Sequence, residues 1–269
     1  MDEKREGEVI LFFTLHKCAS VFISKICRRL SENSGMGFVS PNNGDRIDRE
    51  RRVREHDLLT NRDVWHTTEP SCFAPIRFYS PLAPLGDSKI ILHVRDPRDV
   101  LVSMYFSYCF IHPGKIEPMS GYRKEVEARG IDEFVKLMSS DNHMQLRGDY
   151  GTGNVLGEHI GSVLERYQNY ATHVHSRKDV IFVKYEEMVM DFDSWLEKVV
   201  APFKLNDTDD IVERISLENR DTFHVPSENI HRKKRQVTPG DHKNKLRPET
   251  IDYLNSKYGG VLHAFGYEQ

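Results

Sequence analysis

The 269-residue chain has no apolar run long enough to cross a bilayer, no GxxxxGK loop, no HExxH pair and no CxxC pair. Each absence excludes something. Without a spanning segment, cleavage site or lipidation signal, the expectation is a cytoplasmic protein that does not engage a membrane. The four cysteines, Cys18, Cys27, Cys72 and Cys109, lack the spacing of a zinc site or disulfide framework and read as reduced thiols. Thirteen histidines also fall in no ligand pattern, so no metal is expected. A net charge of −3, from 38 basic and 41 acidic side chains, offers no general attraction to nucleic acid, and any anion site has to be local.

What is present is the composition of an ordinary soluble globular protein, which does not forbid an enzyme, with 38% hydrophobic and 29% charged residues and no internal repeat. Continuous apolar runs at Glu8 to Thr14, Lys89 to Val94 and Asp179 to Val183 predict strands buried on both faces. Helical spacing follows each of them. The first helix begins near Ser20, a plausible N-cap, and carries Val21, Phe22, Ile23, Ile26, Cys27 and Leu30. Further helical patterns lie at 101–109, 131–138, 158–174, 191–200 and 248–257, while 34–63 reads as loop or a poorly periodic helix. The alternation predicts an α/β fold: one domain over 1–269, with a central, mostly parallel sheet flanked by helices.

Two strand-to-helix turns carry anion-binding character. TLHKCASVF places Lys17 beside a helix N-terminus whose amides, from Cys18 through Ala19 and Ser20 to Val21, can cradle a phosphate. Alone, such a lysine is more often a solvated loop residue. In VRDPRDVLVS, Arg95 ends a strand where open α/β sheets place ligands, and Ser103 lies about two helical turns on. Its bland alternative is a salt bridge from Arg95 to Asp96 or Asp99.

Together these segments resemble the PAPS-dependent sulfotransferases, particularly the cytosolic small-molecule branch, whose fold is P-loop-like. The resemblance implies transfer of a sulfonate from PAPS, leaving PAP, to a hydroxyl or amine of a small-molecule acceptor. It assigns Lys17 to the bridging oxygen and 5′-phosphate, Ser20 and Val21 to loop contacts, and Phe22 to adenine stacking. Arg95 and Ser103 take the 3′-phosphate. VKYEEM makes Tyr185 an adenine contact, and Thr222-Phe223 matches the second adenine-stacking position. The closing RQVTPGDHKNKL is similar to the family's RKG and GDWKN tail, which makes Arg235 an additional 3′-phosphate ligand, with Arg232, Lys233 or Lys234 as substitutes.

The largest departure concerns the general base. The family's KTHLP segment corresponds to IRFYSPL, which puts Arg77 near the family's lysine and leaves Tyr79 or Ser80 at the histidine position. His112, in an HP segment resembling one that lines the family's acceptor pocket, and His66 with Glu69, in VWHTTEP, are the candidate bases, each with a capping or hydrogen-bonded surface role as its plain alternative. His93, inside a strand, reads as structural. Irregular segments with Tyr105, Phe106, Phe110 and Tyr150 would wall the acceptor pocket, although such aromatics also serve as core. Two other functions compete: a P-loop kinase, disfavoured because Cys18 follows Lys17, and a catalytically idle nucleotide-binding protein. Oligomeric state and acceptor identity stay open.

Overall fold

The computed structural model describes residues 8–41, 51–111, 118–140, 161–224, 227–232 and 235–269. From the N-terminus, β1 (Val9–Phe13) leads through a tight turn into α1 (Ser20–Ser34), followed by β2 (Gly37–Pro41), β3 (Arg51–Val53), α2 (Glu55–Thr60), a 3₁₀ turn at Arg62–Trp65 and β4 (Ser71–Ile76). Next come β5 (Ser88–Val94), α3 (Pro97–Phe106), a π turn at Ser107–Ile111, α4 (Pro118–Ser140), α5 (Val163–Tyr170) and a π turn at Ala171–His175. The remaining elements are β6 (Val180–Lys184), α6 (Tyr185–Met190), α7 (Phe192–Val200), α8 (Thr208–Asn219), α9 (His242–Lys245) and α10 (Pro248–Ala264). The chain divides into two compact units, Met1–Val94 with Thr172–Arg220 and Arg95–Ala171 with Asp221–Gln269.

The first unit holds a six-stranded sheet in the order β3-β2-β4-β1-β5-β6, every pairing parallel. β1 (VILFF) and β4 (SCFAPI) are buried along their whole length, which explains why β1 reads as a continuous apolar run rather than an alternating one. α1 packs on β4 and β2, with Ile23, Ile26, Cys27 and Leu30 as its buried stripe. α7 packs on β6 and buries Trp195, Leu196 and Val199, each worth about 1.5–3 kcal/mol when withdrawn from water. The α/β architecture is as expected, but β2 and β3 fall in the stretch 34–63 that reads as loop or a poorly periodic helix, and α2 supplies helix there. β4 contains Pro75, which ordinarily argues against a central strand, and its pairing with β1 shifts register between Leu11 and Phe13.

In the second unit α3 packs against α4, α9 and α10, and α10 also meets α4 and α5. Asp96 caps α3 by accepting from the Arg98 amide at 2.9 Å, with Pro97 in the first turn. α4 is interrupted at Gly130, whose φ of 77° needs a residue without Cβ. α10 runs well past the expected end at 257, because Tyr258, Val261 and Leu262 are buried on either side of the Gly259-Gly260 pair. No helix among the described residues is long and apolar enough to cross a membrane.

Candidate functional site

In the first unit the turn after β1 is built without glycine. Thr14 anchors its start: its amide donates to the Ile76 carbonyl at 2.8 Å and its hydroxyl lies 3.3 Å from His93 Nδ1. Lys17 (φ 67°) and Ala19 (φ 59°) are then both left-handed, a conformation costing about 1–2 kcal/mol for a residue with a side chain. Strain of this kind is kept where the backbone has work to do. Two left-handed residues flanking Cys18 give the turn the character of an anion-binding nest. Ala19, not Ser20, is the N-cap of α1, since the left-handed turn brings the chain into the helix one residue earlier. The Phe22 and Ile23 amides donate to the Ala19 carbonyl at 2.8 and 3.0 Å. The Ser20 and Val21 amides, first in the helix, have no acceptor within it and lie at the positive end of its dipole. Lys17 is half-buried, Cys18 buried and Val21 exposed.

The other first-unit candidates have definite surroundings. Phe22 packs against Phe192 and Trp195, with ring centroids 5.8 and 6.4 Å apart. Tyr185, buried at the start of α6, meets the edge of the buried His93 at 6.4 Å. Arg77 forms an ion pair with Glu55, at 2.8 Å from Nε and 2.7 Å from Nη2 to the same oxygen. Tyr79 stacks on His173, centroids 4.5 Å apart and planes 12° from parallel. Ser80 is buried, donates to the Leu58 carbonyl at 2.7 Å and accepts from the Leu82 amide at 3.1 Å. Its hydroxyl is thereby committed to holding the loop. His66 is exposed just after the 3₁₀ turn.

In the second unit Arg95 is 5% exposed, and its carbonyl accepts from the Tyr167 hydroxyl. Asp96 pairs with Arg98 instead, at 2.7 Å, while Asp99 is the acid facing Arg95, at 3.9 Å. Asp99 is wholly buried and accepts from the Gly240 amide at 2.7 Å, the His242 amide at 2.9 Å and His242 Nδ1 at 2.7 Å. Burial pushes its carboxyl up, but the His242 hydrogen bonds and the Arg95 charge outweigh that and hold it below the ordinary carboxylate range. Ser103 is half-buried on α3, and Thr222 and Phe223 are half-buried in a turn.

Arg235 is buried between Glu228 and Asp241, and its guanidinium lies 3.9 Å from the centroid of the Phe106 ring. Phe106 therefore supports a tail cation, and its edge joins a cluster with Tyr105 and Phe110. His112, Tyr150, Lys233 and Lys234 lie outside the described residues. Among the described residues, no group of three or more His, Cys, Asp or Glu is placed to hold a metal.

The family model for the sulfotransferase domain matches residues 56–266. The chain belongs to that family. The match takes in Arg95, Ser103, Tyr185 and Arg235 of this sulfotransferase and begins after the Lys17 turn. Among solved structures, mouse sulfotransferase SULT7A1 complexed with PAP is similar with a TM-score of 0.57 at 18% identity, over 95% of this chain and 84% of that one. Retinol dehydratase in complex with androsterone and inactive cofactor PAP gives 0.56 at 11% identity, over 97% and 82%. The retinol and PAP complex of retinol dehydratase gives 0.54 at 11%, over 97% and 83%. At these identities the likeness is one of fold. No curated protein matches the sulfotransferase by sequence.

In the sequence Asp99 stands out only as a salt-bridge partner for Arg95, and nothing singles out His173 or Glu228. The one signal for His242 was its place in GDHKN, where the family tail has tryptophan.

Proposed function

We propose that this sulfotransferase moves a sulfonate from PAPS to a hydroxyl or amine of a small-molecule acceptor by in-line transfer. The observation that carries the reading is the glycine-free turn at 17–20, where a lysine, two left-handed residues and a helix N-terminus come together after a buried parallel strand. PAPS supplies the activated sulfonate on its 5′-phosphate. In this reading the amides from Cys18 to Val21 hold that phosphate, and Lys17 places positive charge where negative charge develops on the leaving oxygen. Arg95 and Ser103, with Arg235, hold the 3′-phosphate, and Phe22, Tyr185, Thr222 and Phe223 hold adenine. Arg77, Tyr79, Phe106 and His112 belong to the acceptor side, with His112 or His66 taking the acceptor proton, a step worth about 10²–10⁴-fold. The small apolar molecules bound by retinol dehydratase support a small-molecule acceptor.

A second reading, a nucleotide-binding protein without turnover, is favoured by the loop after β4. There Tyr79 is stacked and Ser80 is committed to Leu58, so neither provides an imidazole. Calorimetry of PAP with wild type, Lys17→Ala and Arg95→Ala, with ATP as control, tests the nucleotide assignment. We expect PAP to bind and ATP not, with Arg95→Ala weakening PAP about 10²-fold through loss of a charge-assisted contact. ATP preference, or indifference to Arg95, would sink the assignment. PAP binding without PAPS turnover across an acceptor panel would select the idle reading.

A further inference from the structure

We infer that Asp99 is a positioning residue that, through His242, sets the preference for a 3′-phosphorylated nucleotide over its unphosphorylated counterpart. The inference rests on the assignment of Arg95 and Arg235 to the 3′-phosphate. An ionised carboxylate is acceptor-only, with about four lone-pair sites. Asp99 devotes three of them to one short segment: the Gly240 amide at Oδ2, and the His242 amide and Nδ1 at Oδ1. Since Asp99 cannot donate, His242 Nδ1 carries the proton. Gly240, at φ 80°, makes the geometry possible, because this left-handed step lets two amides converge on one side chain.

The same carboxylate bears on both cations, on Arg95 directly and on Arg235 through Asp241. Arg95 Nη2 lies 3.9 Å from Oδ2, too long for a hydrogen bond, so Asp99 orients this guanidinium by charge alone. Arg235 pairs with Asp241, the residue between the two amide donors, so a segment fixed by Asp99 also fixes the acid that aims Arg235. Asp99 and His242 are 0% and 1% exposed. Burial strengthens each of these interactions and keeps the pair out of reach of solvent. Loss of the clamp frees the 240–242 turn and misdirects both guanidinium groups while leaving the 5′-phosphate turn, on other segments, intact.

The test measures PAP and AMP dissociation constants by calorimetry on the full chain, with thermal melts to confirm folding. Wild type should prefer PAP. In Asp99→Asn, PAP affinity should fall about tenfold or more while AMP stays within about twofold. His242→Phe should lose about tenfold for PAP, and His242→Asn, whose amide donates in place of Nδ1, should recover to within about threefold. If Asp99→Asn does not fold, the two His242 variants decide the matter. A PAP-to-AMP ratio unchanged in the folded variants, or equal weakening of both ligands, overturns the role of Asp99 alone. A wild type indifferent to the 3′-phosphate overturns the assignment of Arg95 and this inference with it.

Discussion

Replacing Arg77 by Met leaves the Glu55 carboxylate without its partner at the first residue of α2. The pair is among the better buried in the first unit, with side-chain exposures of 16% for Arg77 and 7% for Glu55. Breaking a buried pair costs about 3–5 kcal/mol when one charge stays behind, and the partial exposure of Arg77 brings the expectation to about 2–3 kcal/mol. At about 2–4 °C per kcal/mol for a chain approaching this size, the melting temperature should fall by roughly 4–12 °C. The double variant Arg77→Met/Glu55→Leu removes both charges and should return to within about 1 kcal/mol of wild type, because the desolvation penalty goes with the pair. Urea melts followed by circular dichroism, fitted with a common slope, give both free energies. If Arg77→Met melts with wild type, or the double variant is no better than the single, Glu55 is not held by Arg77 and the ion pair has no part in the loop that carries Tyr79.

Glu228→Gln removes one of two carboxylates from Arg235 and relieves Lys245, 2.7 Å away; if Arg235 serves the 3′-phosphate, PAP should bind about three- to tenfold more tightly by calorimetry. Ala19→Gly relieves about 1–2 kcal/mol of left-handed strain against about 0.5–1 kcal/mol of added chain entropy. Its melting temperature should hold or rise slightly in a thermal scan, whereas Ala19→Val should lower it by several degrees.

Parts of this architecture are plain in the amino-acid order because they depend on neighbours in the chain. The apolar runs of β1, β5 and β6 mark buried parallel strands, and helical spacing after Ser20 and Asp191 marks α1 and α7. β2, β3 and β4 are less legible, since they are short or carry Pro41 or Pro75, and their pairing depends on the sheet around them. At the candidate site, Lys17 and Arg95 are legible as strand-end cations. Asp99 is legible as a salt-bridge partner of Arg95, but its bonds to His242, across 143 residues of chain, are not, and Tyr79 likewise meets His173 only through folding. Arg235, one cation in a basic run, gives no hint from its neighbours that Phe106 lies beneath it.

The two compact units are interleaved along the chain, the first resuming at Thr172 and the second at Asp221. Neither can be cut out as one continuous fragment. β5 is complete at Val94, but its outer neighbour β6 begins only at Val180, so a ribosome must deliver the intervening stretch before the sheet gains its last strand. Until then β5 has an open edge, the surface on which strands of other chains pair. Synthesis therefore passes through an interval of aggregation risk, and slowing elongation between these strands should reduce soluble yield.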